Sequence, residues 1–241
     1  MNFKLTLTHS IWLILLLLQS CTHQNRLVVY TDPWLGEFAD SLVAEYQSNH
    51  PATEIQLKKL STEVIVQHLR YGQPIDVVLA FGSEWYSQPD FRMKIAKEST
   101  LAPSKVVLLK QTDERWTEKQ RAMGCMKCVV MEASDRPLRH YTKQAGWEQL
   151  QPPDRVLIAN FQRQAADYLL RGWAPKGFLP LHFAHQHAQQ FKIEQQGPLI
   201  TNAFTAILIT NAPNSTPAAE FFALANSEKS RAMLGRMRFL P

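Results

Sequence analysis

Hydrophobic positions along the chain switch repeatedly between two periods. Leu27-Val28-Val29-Tyr30 is a short β-rich run, closed by the turn-forming cluster Thr31-Asp32-Pro33-Trp34. Phe38, Leu42, Val43 and Tyr46 then recur at helical spacing, which predicts an amphipathic helix over 35–48. Glu54-Ile55-Gln56-Leu57 alternates like a strand. Ser61-Thr62-Glu63 reads as a helix start ahead of Val64, Ile65, His68 and Leu69, and Gly72-Gln73-Pro74 closes that helix. The run 76–81 is a buried strand. Strand, helix, strand, helix, strand is a βαβαβ order and implies a parallel sheet with crossover helices.

The remainder continues in the same way. Strands are predicted at 105–109, 127–131, 155–158 and 203–209. Helices are predicted at 138–145, 161–170, 217–226 and 228–237, the third opened by Thr216-Pro217 as cap and first turn. Residues 177–181 are apolar, but Pro180 argues against a central strand there. No internal repeat is visible.

The first twenty residues stand apart. Lys4 lies near the start, and Ile11 to Leu18 is continuously apolar but too short to span a bilayer as a helix. This reads as a secretory leader. Leu18-Gln19-Ser20-Cys21 resembles the bacterial lipoprotein signal, which implies lipidation of Cys21 and a mature chain tethered to a bacterial membrane, inner or outer. A plain signal peptide with a chance cysteine is the other reading.

Composition changes this picture little. The chain has 241 residues, 45% hydrophobic and 20% charged, with a formal net charge of +5. That excludes a disordered chain, a collagen-like repeat and a disulfide-dense mini-protein. The positive excess falls within 105–196 and forms no clustered basic stripe, so no nucleic-acid partner is expected.

The order of elements, taken with four segments, resembles the molybdate/tungstate-binding family of bacterial ABC importers, which are type II periplasmic binding proteins. The segments are Leu27 to Tyr46, Leu69 to Trp85 with Gly72-Gln73-Pro74-Ile75-Asp76, Pro137 to Tyr141, and Ala218 to Phe239. The resemblance implies an α/β fold of two lobes, each a mixed, mostly parallel sheet flanked by helices. It places the leader at 1–20, lobe 1 at 21–104 and 197–241, and lobe 2 at 105–196. It implies a monomer that makes and breaks no bond, needs no cofactor, binds a small oxyanion in the interlobe cleft and delivers it to an ABC permease. Helix starts suit such a ligand because their N–H groups carry partial positive charge. The implied contacts are Thr31, Asp32 and Trp34 in the first loop, Ser61 and Thr62 at a helix start, and Leu138 and Arg139 across the cleft. Trp34 stands where the family has a serine, so an organic solute is the alternative ligand.

Cys125-Met126-Lys127-Cys128 holds the two other cysteines. In an exported protein the simplest reading is a disulfide. Met123, Met126 and Met131 flank the pair, so a periplasmic thiol- or copper-handling protein is the alternative function. His182, His185 and His187 read as a polar surface segment rather than a metal site. No nucleophile elbow, phosphate loop or zinc-protease motif is present.

Overall fold

The computed structural model describes residues 26–82, 89–112, 115–132, 142, 155–160, 162–210, 212 and 214–240. The predicted leader, Cys21, the helix at 138–145, and with it Leu138 and Arg139, lie outside the described residues.

The first sheet contains β1 (Arg26–Thr31), β2 (Glu54–Lys59), β3 (Val77–Phe81), β4 (Ile95–Ser104) and β10 (Ile200–Ile209), in the order β2-β1-β3-β10-β4. The second contains β5 (Val106–Gln111), β6 (Val129–Glu132), β7 (Val156–Ala159), β8 (Lys176–Pro180) and β9 (Phe191–Gln196), in the order β7-β6-β8-β5-β9. In each sheet one strand runs against the other four: β10 in the first, β5 in the second. Both sheets are therefore mixed and mostly parallel.

Helices flank the sheets. They are α1 (Gly36–Asn49), α2 (Thr62–Arg70), α3 (Pro89–Arg92), α4 (Arg115–Ala122), α5 (Gln162–Leu170), α6 (Leu181–Gln186), α7 (Ser215–Ala225) and α8 (Glu228–Arg236). The alternation of the strands sorts the first sheet's two faces. Leu27, Val29, Val77, Leu79 and Phe81 pack with Phe38, Leu42 and Phe221 from α1 and α7. Val28, Tyr30, Val78 and Ala80 face Ile65 and Leu69 of α2 and Phe91 of α3. The first of these clusters does not stop at its own sheet. It runs on through Phe204 and Phe239 into Phe183 of α6 and Phe178 and Leu179 of the second.

Asp76 ties the elements of the first sheet together. Fully buried, it accepts from the Val28 N–H at 2.7 Å and from the Asn214 N–H at 3.2 Å. It thereby fixes the start of β3 to β1 and to the residue before α7.

Three expectations are corrected. Residues 176–180 do form a strand, β8, and it is the middle one of its sheet. Pro180 is tolerated because it is the last strand residue and leads straight into α6, while β8's parallel partner β6 pairs only with Lys176 and Gly177. A missing N–H at that end leaves no ladder bond unmade. The helix expected to open at Thr216-Pro217 starts at Ser215 after Asn214, which places Pro217 within its first turn. The histidine segment is not a surface feature throughout, since His182 is 2% exposed.

Gly177 has a steric reason. A β-carbon there would lie 2.4 Å from Val130 Cγ1 and 2.9 Å from Leu169 Cδ1, so α5 packs directly on the β8 backbone.

Candidate functional site

The first loop is built from the end of β1. Asp32 donates its N–H to the Leu79 carbonyl at 2.8 Å, which anchors the loop across β3. Its side chain caps the short 3-10 turn Pro33–Leu35, with Oδ1 accepting from the Trp34 N–H at 2.9 Å. Oδ2 accepts from the Thr62 hydroxyl at 2.9 Å, at the first residue of α2. Thr31 is buried and donates from its hydroxyl to the Asp32 carbonyl at 3.1 Å. Of the expected contacts, Thr31, Asp32, Trp34 and Thr62 therefore meet at one place, where β1 ends and α2 begins. Ser61 is the N-cap residue of α2, but its side chain makes no capping hydrogen bond.

Asp32 is 1% exposed. Burial pushes its carboxyl up to about 7, and the hydrogen bonds from Trp34 and Thr62 only partly oppose this. Removing a carboxylate from water costs more than two donors return.

Trp34 leaves the first sheet's loop and meets α6, which follows the second sheet's central strand. Its ring stands edge-on to His182 at 5.3 Å and to Phe183 at 5.7 Å. His182 stacks on Phe239 at 4.4 Å and stands edge-on to Phe204 at 5.2 Å. This aromatic seam joins the two sheets. Phe239 reaches it because Arg238, with φ of 61°, turns the chain back at the end of α8.

The seam holds polar atoms without partners. Trp34 Nε1, His182 Nδ1 and His182 Nε2 are buried and make no hydrogen bond. Burial, with a smaller contribution from His185, lowers the His182 imidazole to about 3, so it is neutral at ordinary pH. A neutral imidazole offers one N–H and one lone pair. Unpaired buried groups of this kind cost about 1–3 kcal/mol each. Sequence reasoning missed His182 and Phe239. The signal that could have found His182 is its place just after a strand end, where ligands of open α/β sheets collect.

Cys125 and Cys128 are joined by a disulfide, with Cα atoms 4.9 Å apart, and both are buried just before β6. Joined in this way they present no thiolate to a metal. A cavity of about 390 Å³ lies beside Cys125, lined also by Met123, Arg155, Tyr168 and Trp173. Among the described residues, no group of three His, Cys, Asp or Glu side chains is placed to hold a metal ion.

No protein-family model and no curated protein matches the chain. Solved structures do. The periplasmic molybdate-binding protein of Azotobacter vinelandii superposes with a TM-score of 0.67 at 16% identity, covering 88% of this chain and 97% of that one. The substrate-binding domain of a putative molybdenum ABC transporter from Clostridium difficile gives 0.63 at 16% identity, covering 88% and 96%. A tungstate ABC transporter structure from Geobacter sulfurreducens gives 0.62 at 10% identity, covering 88% and 98%. The chain has the two-lobed type II periplasmic-binding-protein fold, which it shares with these molybdate and tungstate transport proteins.

Proposed function

We propose that this protein is the solute-binding component of an ABC importer and takes a small oxyanion between its lobes. It acts by closing on the ligand and presenting it to a permease, without making or breaking a bond. In this reading residues 1–20 are a leader, Cys21 carries a lipid that tethers the mature monomer outside the cytoplasm, and 105–196 form a lobe inserted between 21–104 and 197–241. The observation that carries the reading is the meeting of the β1 loop and the α2 start with α6 across the seam, in a fold shared over 88% of the chain with molybdate-transport proteins. Strand ends and helix starts facing a cleft between two sheets suit an anion.

Binding stabilises the folded state by mass action, so each ligand is read by its thermal shift. Molybdate, tungstate, sulfate and phosphate at millimolar concentration test the proposal. A rise of several degrees with at least one is expected, and no rise with any of them overturns it. A second reading, an organic solute, is favoured by the cluster of aromatic rings of Trp34, Phe183, Phe204 and His182. It predicts that small organic cations shift the melting temperature while the oxyanions do not.

A further inference from the structure

The cavity beside Cys125 shares no lining residue with the aromatic seam. It lies along β7, an outer strand of the second sheet, and is completed by Tyr168 of α5 and by Trp173 just beyond that helix. Its volume of about 390 Å³ suits a small molecule. Sites of that size are mainly apolar, with a few placed polar groups.

Local bonds fix the lining. At the end of α5, Gly172 takes a φ of 66°. Its N–H then reaches the Leu169 carbonyl at 2.9 Å, and the Trp173 N–H reaches the Tyr168 carbonyl at 2.8 Å. This helix end lays the Trp173 ring on Tyr168, with centroids 5.1 Å apart and planes 22° apart. The Tyr168 hydroxyl accepts from Gln164 Nε2 at 2.8 Å, one turn earlier in α5. Cys125 is held by its disulfide and by its N–H, which donates to the Gln120 carbonyl at 2.8 Å. The Arg155 carbonyl accepts from the Val129 N–H at 3.1 Å, which fixes the backbone just before β7. A site ordered before binding loses little freedom when it binds.

The lining leaves large apolar groups in contact with solvent. Trp173 is 39% exposed, Met123 41% and Ile158 50%. One such residue needs no explanation, but several around one cavity mark surface that a bound molecule covers. Arg155 is the charged side chain among the described residues of the lining. It has no ion pair among the described residues. Lys119 adds positive charge nearby, with Nζ 5.9 Å from the Trp173 ring.

We infer that this cavity is a second ligand site and takes a small aromatic carboxylate, with its ring on Trp173 and its carboxylate on Arg155. A planar ring gains from stacking beyond the area it buries. The Arg155 guanidinium offers a planar fork of donors that matches a carboxylate. The Met123 thioether suits contact with a ring edge. The inference does not depend on what the cleft between the lobes binds.

Calorimetric titration with naphthoate, and with naphthamide as its uncharged counterpart, tests this. Naphthoate should bind saturably at submillimolar concentration, and naphthamide about tenfold more weakly for want of one charge-assisted contact. Arg155→Gln should bring naphthoate down to the affinity of naphthamide and leave naphthamide unchanged. Trp173→Ala should weaken both about tenfold, since either ligand loses the stacking face. Arg155 is exposed, so its substitution leaves the fold intact and decides the matter even where Trp173→Ala unfolds. No saturable binding of naphthoate would overturn the inference. Naphthoate binding unchanged in both folded variants would place the molecule elsewhere and overturn it equally. Equal affinity for naphthoate and naphthamide would remove the carboxylate, and with it the ligand class.

Discussion

Two buried groups of opposite chemistry meet at Trp34, Asp32 on its backbone N–H and His182 against its ring. Asp32 has a raised folded pKa of about 7, so the stability it contributes is full below the unfolded value and is lost as pH rises towards 7. His182 has a lowered folded pKa of about 3, so its contribution is full above the unfolded value and is lost as pH falls towards 3. Between these limits the two slopes oppose each other. Thermal melts should therefore show a flatter pH profile in the unsubstituted protein than in either variant. Asp32→Asn should melt progressively lower as pH falls from about 7 to about 4, and His182→Phe progressively higher. Parallel profiles for all three proteins would contradict the assignment. Asp76 is a different case, because its oxygens serve backbone N–H groups. Asp76→Ala should cost about 3 kcal/mol in urea unfolding, the loss of two hydrogen bonds to a buried carboxyl group. The sequence pattern placed Asp76 at a strand start, but its bond to Asn214, 138 positions away, depends on how the chain returns.

At the scale of elements, the strands of the first sheet were the most legible. Leu27 and Val29 alternate with Val28 and Tyr30 so regularly that both faces can be read before any fold is known. Elements without such a period were missed: β4 carries Lys97, Glu98, Ser99 and Thr100 in a row, and β9 carries Lys192 and Glu194. Both lie at sheet edges, where polar positions are expected and hydrophobic patterning is weak. β8 was misjudged because a proline counts against a central strand only where its N–H is needed. Gly177 in the same strand gives the test. Gly177→Ala must push on Val130 and Leu169, and it should cost about 1–3 kcal/mol by chemical denaturation with the fold retained.

At the scale of the molecule, one apolar cluster spans both sheets. Two lobes joined in this way should unfold together, so far-UV circular dichroism and tryptophan fluorescence should report one coincident urea transition. Phe239 is 4% exposed and lies at the junction, stacked on His182 and edge-on to Phe204. Phe239→Ala should cost about 3–5 kcal/mol and separate the two transitions. A variant as stable as the parent would mean that the seam does not bind the lobes together.

The sequence alone determined the elements with strong periods, the alternating order that demands crossover helices, and the residue types in the first loop. Those depend on local geometry, which repeats every two or 3.6 residues and is written along the chain. Tertiary structure decided what the loop residues face. Trp34 reads from the sequence only as a loop residue, and α6 brings His182 and Phe183 against its ring. His182 reads as a surface histidine until the turn at Arg238 lays Phe239 on its ring. Asp32 reads as a charge until burial, outweighing the opposing hydrogen bonds from Trp34 and Thr62, makes it a carboxyl that holds its proton near neutral pH. Burial and desolvation come from residues distant in sequence, so the chemistry of this site is set by how the two sheets meet.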